Sequence, residues 1–453
     1  MIDLKKHTYK LIMIAFFLLL WSCNDTEHQK PALETLNLVS SIPANNDNEV
    51  SFRESQVSFI FSENIKLNQP QNIEINGELA QRVTVNMSEL RIDVSLQPNT
   101  TYRIEIPKNQ ITGRESGAMS GKIEIVFKTQ DVELSKLVID NPSIQTQKLY
   151  NYLKSITGEK MITGTMANVS WNINEAEWVR YHTGEYPALN CFDYIHLYAS
   201  PSSWIDYENI SVIENWWQNN GLVAAMWHWN VPKSNSSNSY AFYSKETDFD
   251  VSRAVIKGTD EYDIVIADLN KIADNLLLLN DKNIPILWRP LHEASGRWFW
   301  WGAKGAMPAK KLWQMMFDVF NDKGLNNLIW IWTSDGNDDE WYPGDDYVDL
   351  IGADIYDKDL GSIVSFYENM KRKYPNKMLA LSEYGNISNL SEQWAKNVKW
   401  LWAMPWYDYE RTLTIEGVEF KKESHQFANK SYWQNIFEMK DIIVYRNNVP
   451  NLK

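Results

Sequence analysis

The sequence has 453 residues, with 44 Lys and Arg against 58 Asp and Glu and a formal net charge of −14 at pH 7. At roughly 100 to 200 residues per domain this length calls for two or three domains. The cations are scattered and offer no basic stripe for a phosphate backbone, which excludes nucleic acid as a partner, and an acidic surface leaves neutral ligands as the easier class to accommodate.

Residues 1–22 read as an export signal, in which Lys5, Lys6 and Lys10 precede the apolar run LIMIAFFLLLW. The run is too short to span a bilayer as a mature helix. LWSC resembles a bacterial lipobox, so Cys23 is the expected lipidation site and acyl chains the expected link to the membrane. An ordinary secretory signal with a stray cysteine is the alternative. The location implied is the cell envelope, with the outer membrane as anchor, and the acidic NDTEH that follows hints at surface display. Cys191 is the only other cysteine, so no intrachain disulfide is expected, and it reads as a small buried hydrophobe.

Residues 23–35 are polar and aperiodic and read as a tether. From 36 to 131 apolar residues alternate with period two, for instance Val57, Phe59 and Phe61, then Tyr102, Ile104 and Ile106. Turn residues such as PANNDNE and TGRESG punctuate them. Seven or so short strands in this span predict a small antiparallel sandwich, and SIPANNDNEVSFRESQVSFIFSENI resembles bacterial Ig-like modules. The region holds no tryptophan, whereas 20 of the 21 in the chain lie between Trp171 and Trp433. That break in composition marks a domain boundary near 132–142. The lack of tryptophan favours a spacer role for the first domain over the alternative of glycan binding.

From 136 to 453 apolar strand-like runs alternate with helical patterns, the signature of parallel strands with crossover helices. Eight runs stand out: KMITGTM, ALNCFDYIHL, GLVAAMWHW, IPILWRPLHE, NLIWIWTSD, VDLIGADIY, KMLALSEYG and VKWLWAMPW. Helices are expected around Ile266, Leu269, Ala273 and Leu276, and around Leu312, Met315, Met316 and Val319. The class is α/β, a (β/α)₈ TIM barrel behind an all-β Ig-like sandwich. A doubly wound sheet is the rival, but no GxGxxG or GxxxxGK follows an early strand.

Active sites in such barrels sit at the C-terminal ends of strands. His228, Glu293, Asp354, Tyr356, Glu383 and Trp406 fall at those ends. Two carboxylates facing each other across the mouth, Glu293 and Glu383, are what cleavage of a glycosidic bond requires, one protonated and one ionised. Apolar neighbours such as Trp298 raise the pKa of Glu293, while Arg289 and Tyr356 favour ionised Glu383. Tryptophans beside such a pair can floor a sugar cleft, and for Trp298 and Trp406 that is the reading; Trp227, Trp330, Trp332 and Trp402 read as core.

WRPLHEASGRWFWWG, with LSEYG and WHWN, looks like glycoside hydrolase family 26, whose best-known members are retaining endo-β-1,4-mannanases on a (β/α)₈ barrel. The resemblance implies Glu293 as acid/base and Glu383 as nucleophile. It implies sugar-site roles for His228, His292, Trp298, Tyr356 and Trp406, with Arg289 orienting Glu383. The family often has HEMNG where this chain has HEASG, so Ala294 and Ser295 depart from the pattern. A neutral β-mannan-type polysaccharide is the implied substrate and other glycan-utilisation surface proteins are implied as company.

β-1,3-Xylan, mixed-linkage β-glucan and non-catalytic glycan capture are the alternatives. No cofactor and no catalytic metal are expected, since the histidines form no HExxH or tight Cys/His pairing. The acidic stretch 334–349 reads as a solvated rim loop rather than a calcium loop, with Asp335, Asp338 and Asp346 as candidate substrate contacts. SNSSNSYAFYSKE, after the third run, reads as a cleft wall.

Overall fold

The computed structural model describes residues 35–197, 205–234 and 237–453. The export signal, Cys23 and all but the last residue of the tether lie outside them. The chain forms two compact units, one built around residues 56–94 and 102–127 and the other around 128–453. Among the described residues no helix is long and apolar enough to cross a membrane.

In the first unit the alternation becomes two four-stranded sheets with antiparallel pairing. One is ordered Leu38–Ile42, Gln56–Phe61, Glu89–Asp93, Val83–Asn86; the other Ile123–Lys128, Thr101–Ile106, Glu74–Ile75, Glu78–Leu79. Val57, Phe59 and Phe61 point inward on one, and Tyr102, Ile104 and Ile106 on the other. A two-stranded ribbon of Ile65–Leu67 and Ile111–Gly113 completes the unit. The strands therefore outnumber the seven expected, because elements of two or three residues are too short to show a period.

The second unit is a closed barrel of eight parallel strands: β1 Met161–Met166, β2 Leu189–Asp193, β3 Leu222–Met226, β4 Ile286–Arg289, β5 Leu328–Thr333, β6 Leu350–Tyr356, β7 Met378–Gly385 and β8 Trp402–Pro405. Each pairs with the next, and β1 pairs with both β2 and β8, so the sheet has no open edge within the ring. All eight apolar runs contain the strands they predict. They lack the period-two alternation of the first unit because both faces are covered, and β1 and β7 are buried along their whole length. A short segment, Ile443–Val444, also pairs with the start of β1.

The crossover helices follow the 3.6-residue period. Helix Asp260–Asn280 buries Leu269, Ile272, Ala273, Leu276 and Leu279 against the sheet. Thr259 caps it by accepting the Tyr262 N–H, and Asp260, Glu261 and Asp263 in the first turn oppose the helix dipole. The β5-to-β6 connection, residues 334–349, departs from the alternation: it holds no α-helix, only a single turn of 3₁₀ helix at Asp345–Tyr347.

The sheet is irregular where β6 meets β7. The register shifts between Ala353 and Asp354, after which Asp354 lies beside Glu383, and β7 shifts again against β8 between Leu381 and Tyr384. Strict alternation would send residues 382 and 383 to opposite faces. The bulge relaxes that rule and lets both reach the same polar cluster. Gly352, just before the shift, leaves room for Ser382: a Cβ there would lie 2.4 Å from Ser382 Oγ. Gly352→Ala is expected to destabilise the barrel by about 1–3 kcal/mol through overpacking, read as a lower melting temperature.

Candidate active site

The strand β4 ends at Arg289, and the chain then turns sharply through residues of left-handed backbone, Leu291 (φ 47°), Glu293 (φ 53°) and Arg297 (φ 61°). Such conformations cost a side chain of order 1 kcal/mol or more each, so the surroundings must hold them. The tryptophan-rich motif does so. Trp301 Nε1 donates to the His292 carbonyl at 2.9 Å, and Trp300 Nε1 to the Trp229 carbonyl at 2.7 Å. Gly302 lies so close to this turn that a Cβ would sit 2.0 Å from the Ala294 carbonyl oxygen. Both indoles are fully buried, whereas Trp298 is 47% exposed and donates its Nε1–H to Glu293 Oε2 at 2.9 Å. Gly296 makes room for that ring, since a Cβ would lie 2.0 Å from it.

Glu383, on β7, occupies a different environment. Arg289 Nη2 donates to its Oε2 at 2.7 Å and the Tyr356 hydroxyl to its Oε1 at 2.5 Å. The same guanidinium reaches Asp354 through Nη1 at 2.7 Å, and Ser382 Oγ donates to Asp354 Oδ1 at 2.8 Å. The Arg289 side chain is only 3% exposed. Burial opposes its charge, but the Asp354 and Glu383 carboxylates more than reverse this and hold its pKa above the ordinary value. Burial pushes Asp354 up, with Arg289 pulling against it. Burial, followed by the charges of Asp354 and Glu383, pushes Glu293 up to about 8. Its one direct partner on this side is a neutral indole. Burial and the neighbouring Glu383 likewise keep the Tyr356 hydroxyl protonated.

Glu293, Asp354 and Glu383 each present an oxygen within 4.8 Å of the other two. Three carboxyls so close could hold a cation, but Arg289 already supplies a fixed positive charge to two of them. Proton sharing across the cluster is the simpler account of its charge balance.

The histidines line the same mouth. The Nδ1 of His228, two residues past β3, lies 2.6 Å from Asp193 Oδ2, and its ring meets His292 at a centroid distance of 4.7 Å and Trp406 at 6.0 Å. His292 is buried, and burial, Arg289 and His228 all lower its pKa well below the usual value, so it is neutral. Trp406 is half-buried, as befits a cleft residue, and Trp227, Trp330, Trp332 and Trp402 are buried core. The stretch after β3 forms the expected wall in part. Ser244 N–H donates to the Trp298 carbonyl at 2.7 Å, and Tyr243 stacks on Phe299.

The structure thus brings Arg289, Glu293, Glu383, Tyr356, Trp298, His228, His292 and Trp406 to one end of the barrel. Cys191 is buried in β2 and its thiol is pushed up by burial, the state of an unreactive cysteine. The acidic loop 334–349 is not simply solvated: Asp338 is buried, bonded to Ser334 Oγ and paired with Lys373, which also meets Asp339 at 2.7 Å. Lys377, just before β7, pairs with Asp345 at 3.8 Å. Asp335 stays exposed and accepts from Ser295 Oγ at 2.7 Å. Asp193 and Ser382 escaped the sequence reading. Asp193 ends β2, so the strand-end rule contained the signal; Ser382 depends on the bulge and left none.

Known proteins resemble this chain in sequence and in fold. The sequence model of glycosyl hydrolase family 26 matches residues 138–431, and that of a bacterial Ig-like domain matches 34–129. A mannan endo-1,4-beta-mannosidase of Thermothelomyces thermophilus is 38% identical over 344 residues, 70% of this chain and 69% of that protein. Mannan endo-1,4-beta-mannosidase A of Piromyces sp is 35% identical over 57% of this chain but only 43% of its own length. Among solved structures, the GH26 domain of an endo-beta-mannanase/endo-beta-glucanase from Prevotella bryantii superposes with a TM-score of 0.63 at 35% identity, over 70% of this chain and 99% of that one. A beta-mannanase from a symbiotic protist of the termite Reticulitermes speratus, complexed with gluco-manno-oligosaccharide, gives 0.63 at 33% identity over 71% and 99%.

The Trp298 indole N–H stabilises ionised Glu293 and so lowers its pKa against the larger effects that raise it. Trp298→Phe removes the donor and is expected to move the Glu293 titration to higher pH. A ¹³C NMR titration of the glutamate carboxyls in both forms checks the sign.

Proposed function

This chain belongs to glycosyl hydrolase family 26 and is a glycoside hydrolase, and on that premise we propose that it is a retaining endo-β-1,4-mannanase acting on β-mannan or galactomannan. The observation that carries the mechanism is the pairing of Glu293 and Glu383, with oxygens within 4.8 Å, in contrasting surroundings. Retaining glycosidases hold their two carboxyls about 5–5.5 Å apart, whereas inverting ones need about 6.5–9.5 Å to admit a water. The short gap favours a direct attack.

In the first step Glu383 attacks the anomeric carbon while Glu293 gives its proton to the departing oxygen, so the glycosidic bond breaks as the enzyme ester forms. Arg289 and the Tyr356 hydroxyl both donate to Glu383 and hold it in line. Loss of the leaving group leaves Glu293 ionised, and it then takes a proton from a water whose oxygen attacks the anomeric carbon, so that the bond to Glu383 breaks and the sugar leaves with its original configuration. Glu293 is half-buried beside two acidic groups, which keeps its proton in place for the first step, and Trp298 offers its exposed indole to a sugar face. Mannan as substrate rests on the relatives named above.

Glu383→Ala is expected to lower kcat by on the order of 10⁴–10⁶-fold while manno-oligosaccharide binding, read by calorimetry, is kept. Product chromatography on β-mannan, galactomannan, β-1,3-xylan and mixed-linkage glucan tests the substrate, and ¹H NMR of the first product tests the stereochemistry. Manno-oligosaccharides of mixed size appearing first as the β-anomer are the expected result. An α-anomer would reject the double displacement, and binding without cleavage of any of the four would make the protein a glycan-capture module.

We also propose that Cys23 carries a lipid anchor to the cell envelope. Cys23→Ser is expected to shift the protein from the membrane to the soluble fraction on expression in a Gram-negative host.

A further inference from the structure

Asp193 is the last residue of β2 and pairs with Met226, the last residue of β3. That register puts its carboxylate beside the segment that carries His228. Oδ1 accepts the His228 backbone N–H at 3.1 Å and Oδ2 lies 2.6 Å from His228 Nδ1. The Asp193 side chain is 1% exposed and that of His228 10%. The Asp193 carbonyl accepts the Tyr207 hydroxyl at 3.1 Å, and that hydroxyl accepts the His196 N–H, so the strand end is itself held. A carboxylate held on both the backbone and the ring of one residue has little freedom to reorient.

The chemistry of this contact is specific. A carboxylate accepts and cannot donate, so Nδ1 carries hydrogen whatever the charge of the ring. Nε2 is then the nitrogen left for a ligand, and in the neutral ring it is an acceptor. The ring's other neighbours, Phe242, His292, Phe299 and Trp406, are aromatic and fix its plane without competing for Nδ1.

We propose that Asp193 is a positioning residue of this site: it locks the ring of His228 and commits it to the Nδ1–H form, so that Nε2 meets a substrate hydroxyl. The hydroxyl as ligand rests on the glycosidase reading; the control of the tautomer does not. Asparagine at 193 exposes the difference. Its amide must turn one NH₂ either toward the His228 backbone N–H, where two donors oppose each other, or toward Nδ1, which then has to give up its hydrogen to Nε2.

The test is long-range ¹H–¹⁵N NMR of the full chain labelled at histidine, wild type and Asp193→Asn without ligand, followed by steady-state kinetics on β-mannan. The wild type is expected to show Nδ1–H at His228. In Asp193→Asn the signal is expected to move to Nε2–H, with kcat/KM lowered by on the order of 10–100-fold, as for outer partners of liganding histidines. Wild-type His228 found as Nε2–H overturns the proposal even where the variant fails to fold. So does a folded variant that keeps the tautomer, or one whose kcat/KM stays within about twofold. If the wild type cleaves no mannan, the glycosidase reading falls while the spectra still decide the role of Asp193.

Discussion

The site depends on one buried guanidinium. Arg289 sits at the end of β4 and binds Asp354 on β6 and Glu383 on β7 at 2.7 Å each. A buried charge is costly unless paired and hydrogen-bonded, and removal of one partner of such a pair typically costs about 3–5 kcal/mol. The strands β4, β6 and β7 are therefore tied at the mouth by charge, not by apolar packing alone. The remaining groups take their states from this arrangement. With the cation bonded to Glu383 and Asp354, Glu293 is the acid of the three without a direct cationic partner, and burial with the two neighbouring acids pushes its pKa up to about 8.

The same fold generates the asymmetry that acid–base chemistry needs. The two glutamates meet different surroundings: Glu383 accepts from an arginine and a tyrosine hydroxyl, while burial and the charges of Asp354 and Glu383 push the pKa of Glu293 up. Their separation follows from the barrel, which sets the strand ends a fixed distance apart, and from the bulge that lets Glu383 and Ser382 serve one cluster.

The tryptophans divide by their N–H groups as much as by burial. Trp300 and Trp301 donate to backbone carbonyls around the turn after β4, whereas Trp229 donates to the Asp268 carboxyl, on the helix Asp260–Asn280, at 2.7 Å. Their rings pack in edge-to-face and stacked pairs, such as Trp227 on Trp229 at 4.2 Å. Trp298 alone of the motif's indoles faces outward and donates to a carboxyl. The left-handed backbone at Glu293 is thus supported by the residues that follow it in the chain.

The sequence by itself determined the elements, because each depends on local pattern. Period two marked the sandwich, apolar runs separated by helical periods marked the eight strands, and strand-end polarity marked Glu293, Glu383, Tyr356 and His228. What only the tertiary structure decided are relations between residues far apart in the chain. Examples are the pairing of Arg289 with Asp354 as well as Glu383, the hold of Asp193 on His228, and the pairing of Lys373 and Lys377 with acids of the 334–349 loop. The proton of Glu293 belongs to the same class. Burial and neighbouring charge set it, and both are sums over groups that meet only when the barrel closes.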